Sequence, residues 1–98
     1  MTTTIVRYQV KPERADENLQ LIEAVFAELD EREPDGFTYK VFRLKDGVTF
    51  IHVVIEHEIA DPDSLEDVPA FQAFVAEIGV RCDIGPVVTG ATIVGGYR

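Results

Sequence analysis

Cysteine is nearly absent, since Cys82 is the only one in 98 residues. A lone cysteine excludes a disulfide framework and the ligand cluster a structural zinc needs, and it fits a reducing compartment. Basic residues are scarce as well. Lys and Arg total 9 against 18 Asp and Glu, for a formal charge of −9. A chain this acidic, with no basic block, has no electrostatic reason to bind nucleic acid or an anionic membrane. No apolar run approaches the ~20 residues of a membrane span. The opening Met1-Thr2-Thr3-Thr4-Ile5-Val6-Arg7 lacks the basic start and apolar stretch of a signal peptide. A soluble cytoplasmic protein is therefore expected. The chain shows no internal repeat, low-complexity segment or linker, and its length suits one domain spanning residues 1–98.

What is present is well patterned. Ile5 to Val10 mix β-branched and aromatic residues and read as a strand, ended by Lys11-Pro12-Glu13. From Glu13 to Arg32 the apolar residues Ala15, Leu19, Leu21, Ile22, Val25, Phe26 and Leu29 fall on one arc at 100° per residue. Asp16, Glu17, Glu23, Glu28, Asp30 and Glu31 fill the opposite arc, which predicts a one-sided helix with a solvated acidic back. Pro34-Asp35-Gly36 closes it.

Two strand-like runs follow, Phe37 to Lys45 and Val48 to His57, separated by Asp46-Gly47. That pair favours a two-residue type I′ turn. The turn sets a register in which Lys45 faces Val48, Arg43 faces Phe50, Val41 faces His52 and Tyr39 faces Val54. One face of the ribbon then carries Phe37, Tyr39, Val41, Arg43, Phe50, His52 and Val54. The other carries Thr38, Lys40, Phe42, Leu44, Thr49, Ile51, Val53 and Ile55. Both are largely apolar. Helices can cover one, and in so small a chain a second copy is expected to cover the other.

Asp61-Pro62-Asp63-Ser64-Leu65 predicts a short helical turn capped by Asp61, and Asp67 is placed to cap a helix over Val68 to Cys82. Phe71, Phe74, Val75, Ile78 and Cys82 share a face of that helix. Gly85-Pro86 reads as a break, and Val87 to Tyr97 as a last strand. The order βαββαβ predicts an α+β, ferredoxin-like plait with a four-stranded antiparallel sheet and two helices on one face.

At this point the chain resembles the antibiotic biosynthesis monooxygenase-like family of the dimeric α+β barrel superfamily. The likeness is carried by Val6-Arg7-Tyr8-Gln9-Val10-Lys11-Pro12-Glu13, the acidic first helix, the Phe37 to His57 ribbon and Val68-Pro69-Ala70-Phe71-Gln72-Ala73-Phe74. It implies a homodimer whose sheets pack into a barrel, and a pocket between sheet and helices in each subunit. It also implies either an oxygenase for small aromatic, polyketide- or quinol-like molecules that uses no metal or flavin cofactor, or a haem-degrading enzyme. Many members of that family place a His just before the Phe of the second long helix, where this chain has Ala70. A role resting on that His does not transfer.

The candidate site lies on one ribbon face. A cofactor-free oxygenase must ionise its substrate and hold the resulting oxyanion. His52 is the candidate base, because its ordinary pKa lies near neutrality. Arg43 is the candidate anion holder, Tyr39 would orient substrate, and Phe37, Phe50, Phe71 and Phe74 would wall the pocket. The competing account makes His52 and Tyr39 barrel-interface residues and pairs Arg43 with an acid. No metal site is expected. His52 and His57 point to opposite faces, and His52 and Glu56 are ~13 Å apart along the strand. Cys82 reads as a buried, inert thiol. The expected function is a cofactor-independent monooxygenase, with a non-catalytic dimeric ligand-binding or interaction module as the alternative.

Overall fold

The computed structural model describes residues 2–98. Strands β1 (Thr2–Val10), β2 (Phe37–Arg43), β3 (Thr49–Glu56) and β4 (Cys82–Ala91) form one antiparallel sheet in the order β2-β3-β1-β4. Helices α1 (Ala15–Arg32) and α2 (Pro69–Ala76) cover one face. This is the α+β, ferredoxin-like arrangement expected from the element order. Glu28 fastens the two helices, because its carboxylate accepts from the backbone N–H of Ala70 and also pairs with Arg32.

The first helix ends at Arg32 as expected but begins at Ala15, not Glu13, because Pro12–Arg14 forms a tight 3-10 turn ahead of it. It stops at Glu33, which adopts a left-handed φ of 49°. The following Gly36 has φ 105°, and its carbonyl accepts from His57 N–H. A Cβ there would lie 2.6 Å from Pro62 Cβ. Backbone and neighbour both exclude a side chain, so Gly36→Ala is expected to cost about 1–3 kcal/mol. Urea unfolding of the variant checks this, and an unchanged midpoint would refute it.

The ribbon has the predicted pairing, with Tyr39 opposite Val54, Val41 opposite His52 and Arg43 opposite Phe50. Its turn differs. The last bonded pair is Leu44 with Thr49, and Lys45 to Val48 form a four-residue loop. Gly47 alone has positive φ in that loop, so the turn is not type I′. The Asp46 carboxylate explains the preference, since it accepts from Val48 N–H, Thr49 N–H and the Thr49 hydroxyl. The longer loop adds one residue on each side, so the faces are unchanged.

The second half departs further. The 3-10 turn is Leu65–Asp67, capped by Ser64 and not Asp61. Asp67 does not cap α2, whose N-cap is Val68 with Pro69 following. The predicted helix over Val68 to Cys82 divides into α2 and a single turn, Ile78–Arg81. Cys82 opens β4, opposite Val10, and the Arg81 carbonyl accepts from Lys11 N–H. β4 thus begins and ends earlier than Val87 to Tyr97. Gly85-Pro86 lies inside it, where the pairing jumps from Gln9–Ile84 to Arg7–Val87. These two residues form a bulge, which accommodates a residue without an N–H.

Candidate functional site

Three neighbouring strands each place one polar ring on the helix-covered face. β1 contributes Tyr8, β2 Tyr39 and β3 His52, with Val6 and Val41 directly opposite His52. Alternation along each strand puts all three side chains on the same side. The two phenols grip the imidazole from both ends. Tyr8 Oη lies 2.7 Å from His52 Nε2, and Tyr39 Oη lies 2.7 Å from His52 Nδ1. Asn18 of α1 donates to Tyr8 Oη at 3.0 Å, and Arg81 donates to Asn18 Oδ1 at 3.1 Å. Arg81 also donates to the Phe74 carbonyl at 2.6 Å. A polar chain of five residues therefore crosses the core.

Aromatic rings enclose it. Phe74 stacks on His52 with centroids 5.1 Å apart, and Phe26 stacks on Tyr39 at 5.1 Å. Phe50 lies against Tyr8, and Phe71 meets Tyr39 edge-on. His52 is only 4% exposed. Burial holds its pKa down to about 4, and burial also pushes both tyrosines above the ordinary phenol range. For Tyr8, the Asn18 hydrogen bond and the Arg81 charge pull the other way without prevailing. All three rings are neutral at pH 7. Both imidazole nitrogens are engaged by phenols, so haem ligation by His52 would require breaking one of these bonds. Among the described residues, no group of three or more His, Cys, Asp or Glu is placed to hold a metal ion.

A cleft of about 430 Å³ opens beside this centre. Val6, Phe37, Val54, Leu65, Phe71 and Val88 give it apolar walls, and Glu56, Asp63 and Glu66 contribute acidic groups. Phe71 separates it from the polar chain, since the ring lines the cleft on one side and touches Tyr39 and Phe74 on the other. Tyr39 itself lines a second groove of about 330 Å³ with Phe26, Leu29 and Phe37.

The structure brings together His52 and Tyr39 from the sequence-derived set. They face the helices, not the opposite side of the sheet, so the account that made them barrel-interface residues fails. Phe37 and Phe71 line the cleft, whereas Phe50 and Phe74 are buried in the core around the polar rings. Arg43 is exposed at the ribbon end. It donates to the Gly47 carbonyl and lies over the Phe50 ring, with no acid as partner among the described residues and no bond to His52 or Tyr39. Cys82 is half-buried on β4 where a buried thiol was expected, and burial raises its thiol pKa. Residue-by-residue reading missed Tyr8 as a partner of His52, and missed Asn18 and Arg81 altogether. A signal for Asn18 exists, because it falls between Ala15, Ile22 and Val25 on the buried arc of α1. Arg81 likewise stands seven residues after Phe74 and three after Ile78.

Comparison with protein-family models gives no match, and comparison with curated proteins gives none either. Solved structures do match, over nearly the whole chain. One described as an antibiotic biosynthesis monooxygenase is 22% identical, with TM-score 0.75, covering 97% of this chain and 100% of that one. Rv0793 from Mycobacterium tuberculosis is 17% identical, with TM-score 0.74 and coverage of 99% and 98%. The NE2512 protein from Nitrosomonas europaea, described as of unknown function, is 15% identical, with TM-score 0.70 and coverage of 99% and 92%. Identities this low speak to architecture, and one architecture hosts many activities. The family resemblance read from the sequence therefore holds at the level of fold: from β1 to the end of β4, this chain has the fold of the antibiotic biosynthesis monooxygenase structures.

Proposed function

We propose that the protein is a cofactor-independent monooxygenase for a small aromatic, polyketide- or quinol-like substrate, working as a homodimer. The observation that carries this reading is the Tyr39–His52–Tyr8 chain set beside an apolar cleft. Substrate lies against Phe37 and Phe71, and displacement of the Phe71 ring brings one of its oxygens to the Tyr39 hydroxyl. The substrate supplies its own electrons. An activated CH2 group is converted to C=O by one O2, with the second oxygen atom leaving as water. Negative charge that builds on the substrate oxygen during ionisation meets the Tyr39 hydroxyl, a donor held in place by its buried ring. His52 orients Tyr39. It is a poor base here, because moving a phenolic proton of pKa about 10 onto it costs about 8 kcal/mol.

Oxygen uptake with anthrone- and quinol-type substrates tests this reading. Uptake of one O2 per substrate is expected, and Tyr39→Phe should lower kcat/KM by roughly 10²-fold. Equal rates in wild type, Tyr39→Phe and His52→Ala would overturn it. The second copy is supported by the apolar side chains left bare on β4 and beyond. Ile84, Val87, Val88, Ile93, Val94 and Tyr97 are all exposed, Val94 at 98%. Alternation puts Val87 and Val88 on opposite faces, so apolar surface is bare on both sides of β4, which supports an interaction surface there; a lone protomer by sedimentation at micromolar concentration would remove the dimer. One observation favours a non-catalytic ligand-binding module, namely the enclosure of His52 by the rings of Tyr8, Tyr39 and Phe74. Binding of the same aromatics without oxygen uptake would establish that reading.

A further inference from the structure

The buried chain has a direction, and chemistry at its far end sets it. A guanidinium can only donate, so Asn18 must turn Oδ1 toward Arg81 and Nδ2 toward Tyr8. Tyr8 Oη therefore accepts from Asn18, and its own hydrogen, on a residue only 1% exposed, has His52 Nε2 as its remaining acceptor among the described residues. With Nε2 accepting, the neutral imidazole carries its proton on Nδ1 and donates it to Tyr39 Oη. The hydrogen of the Tyr39 hydroxyl is then left over, with no acceptor among the described residues. Nothing in the pair of phenols alone would choose between the two ring tautomers. Arg81 makes the choice from two residues away. It is 1% exposed, with no carboxylate within ion-pair distance among the described residues.

We propose that Arg81 and Asn18 are positioning residues that hold His52 as the Nδ1–H tautomer and thereby present the Tyr39 hydroxyl to the ligand as a hydrogen-bond donor. The ligand atom at Tyr39 is consequently an acceptor. The acids beside the cleft, Glu56, Asp63 and Glu66, disfavour an anion. The group that fits is the carbonyl oxygen of a neutral aromatic ketone. This rests on the cleft and polar chain of the proposed function, but it does not require oxygenase turnover.

Two measurements without oxygen chemistry test it. Nitrogen-15 NMR of the imidazole, with His57→Gln to assign the signals, should show His52 protonated on Nδ1 and bare on Nε2. Asn18→Asp should reverse this. The introduced carboxylate accepts from both Arg81 and Tyr8, so Tyr8 takes its bond from His52 Nε2–H, and Tyr39 must donate to Nδ1. The second measurement compares 9-fluorenone with fluorene, the same ring frame without the carbonyl. Wild type should bind the ketone roughly three- to tenfold more tightly. Tyr39→Phe and Asn18→Asp should each remove that preference, although Asn18 touches no ligand. An Nε2–H tautomer in wild type overturns the proposal, as does equal binding of the two probes or binding of neither. Should Asn18→Asp not fold, the wild-type tautomer and the Tyr39→Phe comparison still decide. An Nδ1–H tautomer with ketone preference but no oxygen uptake would sink the oxygenase and leave this assignment intact.

Discussion

Lowering the pH from 7 to 5 is expected to remove about 2 kcal/mol of folding stability through His52 alone. In the unfolded chain this imidazole takes up a proton near its ordinary 6.5, whereas in the fold burial delays uptake to about 4. Between those values the unfolded state binds more protons. The contribution is therefore complete above pH 6.5 and is lost as the pH falls toward 4. The first 1.5 pH units of that window, at about 1.4 kcal/mol each, give the figure. His57, the other histidine, is exposed just beyond β3, beside the Thr38 hydroxyl. Urea unfolding at the two pH values measures the loss, with His52→Gln as the variant that cannot titrate. The variant should be much flatter between pH 7 and 5. Equal pH dependence in both proteins would show that His52 is not held neutral.

Phe74→Ala is expected to have the largest effect of any single truncation near the site, about 3–5 kcal/mol. The ring is 3% exposed and packs against His52, Tyr8, Phe71 and the Arg81 guanidinium. Its removal opens a void between the sheet and α2 at the most densely aromatic point of the core. Small domains have only about 5–15 kcal/mol in total, so much of the margin disappears. A second consequence is electrical. Water admitted beside His52 relieves its desolvation, and the imidazole pKa should rise toward its ordinary value. Denaturant unfolding reads the first effect and an NMR titration of His52 the second. A loss below 1 kcal/mol would mean that the core closes around the gap.

Residue periodicity made much of this architecture legible. The 100° arc located α1 because its packing partners are aliphatic and its back is acidic. Counting outward from Asp46-Gly47 gave the correct ribbon pairing even though the turn is wider than predicted, since the added residues enter symmetrically. The end of α2 was not legible. Ile78 and Cys82 continue a helical arc, yet the chain turns to strand because β1 offers Lys11 N–H and Val10 as partners, a tertiary choice that local spacing cannot express. Gly85-Pro86 misled for a related reason. It interrupts a free strand, but in a sheet edge it makes a bulge. At the site, His52 and Tyr39 were legible from alternation on one ribbon face. Asn18 and Arg81 were not, because polar residues on apolar arcs are usually discounted as exposed. Their burial makes sense only once each is seen to satisfy the other.

The attachment of α2 to the rest of the molecule has a consequence for how such a protein diversifies. The ring that walls the cleft, Phe71, follows immediately after Ala70, whose N–H is held by Glu28 on α1. The phenol–imidazole centre is instead anchored to three strands. Shape and chemistry are thus hung from different parts of the scaffold. Changes at the Glu28 tether can re-tailor the chamber for a new guest while the reactive core stays in place.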